Sequence, residues 1–432
     1  MARQRCFIKI CTYGYPVSIY THVAVTMHSL LTLALLILSW PGSHRNASSQ
    51  MSDDNDADIY LTSPELIAKY GYPVQRHSVQ TQEGYILELH RIPHGRPETT
   101  ASPRPAVLLH HAFLCSSFDW VVLGPDKSLG FILADAGYDV WLANARGNTY
   151  SRKHVSLNPS DPKFWQYSWH EMGTHDVPAE IDHILAMTGQ KKLYYIGHSM
   201  GTTMFFVMMS QRPEYNEKIY AMLAFAPVAF FTPSKNPVIH FVQTMAEMFL
   251  EKLFKVIGLN EFLPQDGVLN PISIAACKAS VFTNSLCVGF IFSIVGKSTQ
   301  LDRERLVVML AHTPAGGSSR EVIHYAQGAL SGEFCQFDFG TEKNMELYGQ
   351  PSPPRYNMSH VTTPVAMFHS DNDKLAPIYN VNKVFSALSN VIGNFRVPLK
   401  TFNHLDFMWG KDANSLVYED VVNIMKRYED DA

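Results

Sequence analysis

Basic residues are too few in this sequence to suggest a nucleic-acid partner. Its 432 residues include 35 Lys and Arg against 39 Asp and Glu, a formal net charge of −4 at pH 7, and they form no sustained basic stripe. Binding to a phosphate backbone needs such a basic surface. An internal repeat and a glycine-rich phosphate loop are also absent, which excludes a repeat architecture and a phosphate-loop nucleotide site.

The apolar run near the amino end is short for a membrane span. Leu30 to Leu38 is almost wholly apolar, but it is too short to span comfortably and fits the core of a signal peptide followed by small residues. We therefore expect residues 1–49 to be a leader that is cleaved around residues 42–49. Because the first basic residues lie far upstream of this run, either Met27 is the working start or the apolar region extends back to Val23 as a membrane anchor.

Cysteine is scarce as well. None of the six cysteines follows a CxxC or zinc-type spacing. For the chain as a whole we expect neither a metal nor an organic cofactor. Cys277 and Cys287 close a short loop and are expected to form a disulfide in an oxidising compartment, the alternative being two reduced, buried thiols. Asn46 and Asn357 stand in Asn-x-Ser sequons, which predicts N-glycosylation and agrees with secretion.

The sequence does contain a serine at a sharp strand-to-helix turn. The apolar, β-prone run Leu193–Ile196 leads into Gly197-His198-Ser199-Met200-Gly201, and a second apolar run follows. In a nucleophile elbow of this Gly-x-Ser-x-Gly form, a strand ends, the chain turns and a helix begins. The glycines lack side chains where a Cβ would collide with neighbouring backbone, and Ser199 would stand exposed above the helix N-terminus. The alternative is a solvated glycine turn.

The order of the remaining apolar runs predicts an α/β fold with a mostly parallel central sheet and helices on both faces. Short, continuous apolar runs such as Ala106–His110 alternate with helix-like segments in the first part of the chain and again near its carboxyl end. We assign residues 50–230 and 357–432 to the two parts of an α/β-hydrolase core.

Residues 231–356 have little strand character and predict an inserted helical cap, or lid. Apolar residues recur at helical spacing from Val238 to Phe254, and a second very apolar stretch extends from Val281 to Ile294. A cap of this kind could supply the apolar lining that a lipid substrate needs. Because many small-ester hydrolases also have a cap, it does not identify the substrate.

An isolated serine is a poor nucleophile and needs a base. His404 follows the last predicted strand, which we place around Arg396 to Thr401, and this position predicts that it is the general base. Most of the 19 histidines must have other roles. His110 and His111 end a strand near the predicted oxyanion region and are interpreted as structural.

The base in turn needs an orienting acid, and the tetrahedral oxyanion needs two N–H donors. Asp373 is the predicted acid, with Asp371 as a nearby competitor whose alternative role is to cap a turn. Asp406 is too close to His404 in sequence and is expected to cap a turn or the last helix. The backbone N–H groups of Met200 and Phe113 are the predicted oxyanion donors.

From about Ser63 onward the chain resembles the acid lipase family of α/β-hydrolases, which comprises gastric and lysosomal lipases and their insect relatives. The resemblance depends on five segments: Gly71–Pro73, Asp139–Ser151, Gly197–Thr203, Asn372–Ala376 and Asn403–Phe407. It implies Asp373 as the acid and a disulfide between Cys277 and Cys287. The chain departs from the family pattern at Ala112, where glycine is usual, and at Met200, where glutamine is usual.

The resemblance implies a secreted or lysosomal serine hydrolase that cleaves carboxylic esters of neutral lipids, triacylglycerol or cholesteryl ester, through an acyl-enzyme. The cap would contact the lipid–water interface transiently. One alternative is a carboxylesterase that prefers small soluble esters. Another is a non-catalytic lipid-binding protein on a hydrolase scaffold, although such proteins usually lose a triad member. A hydrolase-fold peptidase or acyltransferase is a further alternative.

Overall fold

The computed structural model describes residues 57–96, 104–231, 254, 256–265 and 281–430, and a largely parallel sheet organises them. The strands are β1 (Gln75–Gln80), β2 (Tyr85–Ile92), β3 (Ala106–His110), β4 (Asp139–Leu142), β5 (Lys153–His154), β6 (Leu193–His198), β7 (Ile219–Phe225), β8 (Glu261–Phe262), β9 (Gly317–Ser318), β10 (Val365–His369) and β11 (Val391–Arg396). The main sheet has the order β1-β2-β4-β3-β6-β7-β10-β11, with β5 paired to β2.

Pairing within the main sheet changes from antiparallel to parallel along this order. β2 pairs antiparallel with β1, β4 and β5, whereas every neighbouring pair from β4 to β11 is parallel. All residues of β3, β6 and β10 are buried, as expected for strands covered on both faces. The mostly parallel sheet confirms the predicted fold class.

Helices surround this sheet and follow its strands. They are α1 (Ser63–Lys69), α2 (Leu129–Asp135), α3 (Trp169–Glu171), α4 (Val177–Thr188), α5 (Met200–Gln211), α6 (Val281–Val295), α7 (Leu306–His312), α8 (Ser319–Ser331), α9 (Thr341–Tyr348), α10 (Ile378–Ala387), α11 (Asp406–Trp409) and α12 (Glu419–Asp430). In the described part of the chain, no helix is long and apolar enough to span a membrane.

The segment between β7 and β10 contains α6 to α9 and a small antiparallel pair of strands, β8 and β9. α6 has no charged residue, yet Leu286 and Phe290 on it are 54% and 58% exposed. The helix predicted from Val238 to Phe254 lies outside the described residues, apart from Phe254.

The last strand of the sheet does not lie where the sequence suggested. The strand expected around Arg396 to Thr401 is β11, which ends at Arg396 instead of beginning there. The N–H of Val397 still donates to the carbonyl of His369, 2.9 Å away. The next residue, Pro398, has no N–H to continue the ladder, so the pairing ends and the chain turns toward His404.

Candidate active site

Ser199 occupies a strained turn between β6 and α5. Its backbone has φ 52° and ψ −112°, and its N–H donates to the carbonyl of Phe225 on β7 over 3.0 Å. A Cβ on Gly197 would lie 2.8 Å from the carbonyl carbon of Gly201, and one on Gly201 would lie 2.3 Å from the carbonyl oxygen of His110. As the sequence predicts, only glycine fits at these two positions, and the close packing holds the serine in its rare conformation.

His404 and Asp373 meet beyond the ends of β10 and β11. Nδ1 of His404 donates to Oδ2 of Asp373 over 2.8 Å, and both side chains are almost completely buried. The other oxygen of Asp373, Oδ1, accepts the backbone N–H groups of Leu375 and Ala376, each at 2.8 Å. These two donors fix the carboxylate, which in turn places the imidazole proton on Nδ1 and leaves Nε2 as the proton acceptor.

The two other acidic residues considered from the sequence have separate contacts. Asp371 is exposed and pairs with Arg396. Asp406 is buried, and its Oδ2 accepts the N–H of Asn403 at 2.7 Å and the hydroxyl of Ser298 at 2.6 Å. Burial raises the pKa of Asp406 to about 7. Asp406 therefore caps the turn that carries His404, as predicted.

The residue before the serine links the elbow to the His404 loop, a contact that sequence reasoning missed. Nε2 of His198 donates to the carbonyl of His404 over 2.9 Å, and the two rings lie 4.8 Å apart. Burial lowers the pKa of His198 well below its ordinary value, so this ring is neutral. Within the described residues, the hydroxyl of Ser199 makes no hydrogen bond to His404. Such bonds are often long in unliganded enzymes and shorten when substrate binds.

The two backbone N–H groups predicted to bind the oxyanion belong to Met200 and Phe113. Met200 is the first residue of α5, and Phe113 lies in the turn after β3. Among the contacts of the described residues, neither N–H donates to another protein group. The ring of Phe113 stacks on Phe262, centroids 6.3 Å apart, and lies 5.9 Å from the ring of Tyr325. Aromatic side chains from the inserted segment therefore pack against the loop after β3.

A buried carboxylate connects the three segments that surround this site. Oδ1 of Asp119 accepts the indole N–H of Trp409 at 2.8 Å and the hydroxyl of Thr313 at 3.1 Å, while Oδ2 accepts the N–H of Ser116 at 2.9 Å. Burial raises the pKa of Asp119 to about 6. Asp119 thus joins the loop after β3, the inserted segment and the helix after His404. In the sequence it is marked locally only as the acidic end of a Ser116-x-x-Asp119 capping box, which does not reveal its contacts with Trp409 and Thr313.

A second buried ionic group is centred on Arg146, in the loop after β4. The guanidinium of Arg146 donates to both oxygens of Asp176, at 2.8 and 2.5 Å, and to Glu83 at 2.7 Å. It also lies over the ring of Tyr85, 4.1 Å from the centroid. Arg146 is the one charged residue between Val140 and Ser151, and this was the available signal for the group, since a buried cation needs anionic partners.

The remaining predicted sites are only partly within the described residues. Cys287 is disulfide-bonded, and because Cys115 and Cys335 are free, its partner lies outside the described ranges, as does Cys277. Asn357 is exposed, as glycosylation requires, whereas Asn46 lies outside the described residues. Among the residues that the structure describes, no group of three or more His, Cys, Asp or Glu side chains could hold a metal ion.

Comparisons with known proteins agree with this architecture. The family model for a partial alpha/beta-hydrolase lipase region matches residues 63–124, and the model for the alpha/beta hydrolase fold matches residues 105–411. Lipase 1 of Drosophila melanogaster is 40% identical over 370 residues, covering 85% of this chain and 80% of that protein. Gastric triacylglycerol lipase of Bos taurus is 40% identical over 365 residues, 84% and 90% of the two chains. Lysosomal acid lipase/cholesteryl ester hydrolase of Homo sapiens is 37% identical over 402 residues, 92% and 99% of the two chains.

Proposed function

This chain belongs to the gastric and lysosomal acid lipase family of α/β-hydrolases, and we propose that it hydrolyses carboxylic esters of neutral lipids through an acyl-enzyme on Ser199. The observation that carries the proposal is the buried 2.8 Å bond between His404 Nδ1 and Asp373 Oδ2, in loops beside the strained serine. The relatives named as triacylglycerol lipase and cholesteryl ester hydrolase support these two substrate classes.

In the first half-reaction, the hydroxyl oxygen of Ser199 attacks the ester carbonyl carbon while its proton moves to Nε2 of His404. The carbonyl oxygen becomes an oxyanion, which accepts the N–H groups of Phe113 and Met200. Asp373 stabilises the imidazolium that has formed. The C–O bond to the alcohol then breaks, and the departing oxygen takes the proton from Nε2.

In the second half-reaction, water repeats these steps on the acyl-enzyme. His404 Nε2 removes a proton from the water, whose oxygen attacks the acyl carbon and forms a second oxyanion at the same two N–H groups. Return of the proton to Ser199 releases the fatty acid and restores the enzyme. The reaction written in this way uses no metal and no organic cofactor.

The side chains of the inserted segment favour a lipid substrate over a small soluble ester. The uncharged helix α6 exposes Leu286 and Phe290, and the aromatic rings of Phe262 and Tyr325 pack against Phe113. Exposed apolar side chains on an uncharged helix suit transient contact with a lipid–water interface. In this proposal, residues 231–356 form the cap that makes this contact.

A secreted or lysosomal location completes the proposal, with entry through a signal peptide within residues 1–49. The relatives named gastric and lysosomal lipases support it, as does the disulfide at Cys287. The predicted pairing of Cys277 with Cys287 and the predicted glycans at Asn46 and Asn357 belong to the same proposal.

Hydrolysis of a long-chain triacylglycerol emulsion and of a short soluble ester, with wild type beside Ser199→Ala, tests the function. We expect long-chain turnover that rises above the solubility limit and is lost in Ser199→Ala. Turnover of the short ester alone would indicate a carboxylesterase. Absence of serine-dependent turnover on either substrate would contradict the enzyme and favour a lipid-binding role.

A further inference from the structure

The orientation of the Phe113 N–H depends on the carbonyl of the preceding residue. In a trans peptide, the carbonyl of Ala112 and the N–H of Phe113 belong to one plane and point in opposite directions. The hydrogen-bond partners of the Ala112 oxygen therefore determine the direction of the Phe113 N–H. That oxygen has two partners, Nδ1 of His111 at 2.8 Å and the N–H of Cys115 at 3.1 Å.

The proton position on His111 follows from its other contacts. The backbone N–H of Ala145 can only donate, and it lies 3.0 Å from Nε2 of His111, so Nε2 is an acceptor. His111 is 1% exposed, and burial lowers its pKa to about 3, so the ring carries a single proton. That proton must be on Nδ1, where it is donated to the carbonyl of Ala112.

A buried asparagine reinforces this tautomer. Oδ1 of Asn148 accepts the N–H groups of Tyr150 and Ser151 at 3.0 and 3.2 Å, which directs its Nδ2 donor toward Nε2 of His111, 3.2 Å away. The side chain of Asn148 is 1% exposed. Two donors therefore converge on Nε2, and one chain of hydrogen bonds extends from the loop after β4 to the oxyanion loop.

We infer that His111 is a positioning residue, fixed by Ala145 and Asn148, that holds the Ala112 carbonyl so that the Phe113 N–H points at the oxyanion. The inference rests on the proposed function, because the Phe113 N–H matters only if an oxyanion forms there. It assigns the loop after β4 a positioning role in the proposed reaction. It also revises the purely structural interpretation of His111 made from the sequence. His110, equally buried and adjacent, makes no bond to this carbonyl.

Substitutions at His111 test the inference, with His110→Leu as the matched control. His111→Leu removes the donor, whereas His111→Asn places an amide N–H near the position of Nδ1. Because the Phe113 N–H is misdirected rather than deleted, we expect kcat on a short soluble ester to fall ~10- to 100-fold in His111→Leu, somewhat less than on loss of a whole oxyanion donor. KM should hardly change, and His111→Asn should recover most of the loss.

Affinity for an alkylboronic acid distinguishes a misdirected Phe113 N–H from a general disturbance of the structure. Its adduct with the serine carries an oxygen at the oxyanion position, so His111→Leu should weaken binding by about the same factor as it lowers kcat. Thermal unfolding of each variant shows whether it is folded. Equal losses in His111→Leu and His110→Leu, or a fall in kcat without weaker boronate binding, would overturn the inference.

The tautomer can be measured in the wild type, which keeps the inference testable if His111→Leu does not fold. In ¹⁵N-histidine-labelled protein, the His111 signals are identified by their absence from His111→Asn. We expect the proton on Nδ1, and a proton on Nε2 would contradict the inference. The tautomer does not depend on turnover. A failure of the proposed function would appear instead as hydrolysis that does not require Ser199, so the two failures are distinguishable.

Discussion

Replacing Asp373 with asparagine should remove most of the turnover while leaving the fold intact. Oδ1 of Asp373 accepts two backbone N–H groups, from Leu375 and Ala376, and in Asp373→Asn the amide oxygen must stay at that position to keep both bonds. The amide NH₂ then faces Nδ1 of His404, across the present 2.8 Å contact. Two donors cannot share this bond, so the imidazole proton moves to Nε2.

The size of the effect follows from the tautomer. With its proton on Nε2, His404 cannot accept the proton of Ser199, and it no longer faces a carboxylate that stabilises the imidazolium. An asparagine at the equivalent position of a Ser-His-Asp triad lowers kcat about 10⁴-fold. That corresponds to a barrier higher by ~5 kcal/mol, since each tenfold loss is ~1.36 kcal/mol.

The assay is steady-state hydrolysis of a short soluble ester, with thermal unfolding measured in parallel. Asp371→Asn is the matched control, because Asp371 is exposed, pairs with Arg396 and does not touch His404. It should retain wild-type turnover. A folded Asp373→Asn protein with turnover within about tenfold of wild type would refute the reasoning, as would an equal loss in Asp371→Asn.

Three further predictions concern the elbow, the His404 turn and the proposed cap. Gly201→Ala places a Cβ 2.3 Å from a carbonyl oxygen of β3, so it should destabilise the fold by at least ~2 kcal/mol in denaturant unfolding; an unchanged midpoint would contradict this. Asp406 has its pKa raised from 3.8 to about 7, so the folded protein keeps a proton that the unfolded chain has lost, and wild type should lose stability as pH rises from about 4 to 7. Asp406→Asn, which can still accept both bonds, should reduce that loss in thermal unfolding at pH 5 and 8; the same pH dependence as wild type would contradict it. Leu286→Ser with Phe290→Ser should lower emulsion turnover several-fold without affecting a soluble ester, whereas Met187→Ser, also exposed but outside the proposed cap, should leave both unchanged.

The sequence contained enough information to predict the mostly parallel sheet and the contact between His404 and Asp373. Continuous apolar runs marked the buried strands, and the Gly-x-Ser-x-Gly motif marked the elbow because its glycines are needed by local backbone contacts. His404 and Asp373 follow strands whose carboxyl ends share one edge of the sheet. The displaced last strand shows where this reasoning fails, since the pairing ends at Arg396 for lack of an N–H at Pro398.

The polar contacts around the site could not be predicted in the same way. Asp119 contacts Trp409, 290 positions later, and Thr313 in the inserted segment. His111 depends on the loop after β4, more than thirty positions away. Such bonds arise from the packing of segments that are distant in the chain, and neither composition nor local periodicity carries their geometry.

Trapping the acyl-enzyme tests the central claim most directly. Wild-type protein is mixed with a long-chain triacylglycerol emulsion, quenched in acid during turnover and digested, and the peptides are examined by mass spectrometry. The account predicts one fatty acyl group, attached to the peptide at Ser199 and absent from Ser199→Ala. Serine-dependent turnover with the acyl group on another residue, or a digest with no acylated peptide under conditions of slow deacylation, would contradict it.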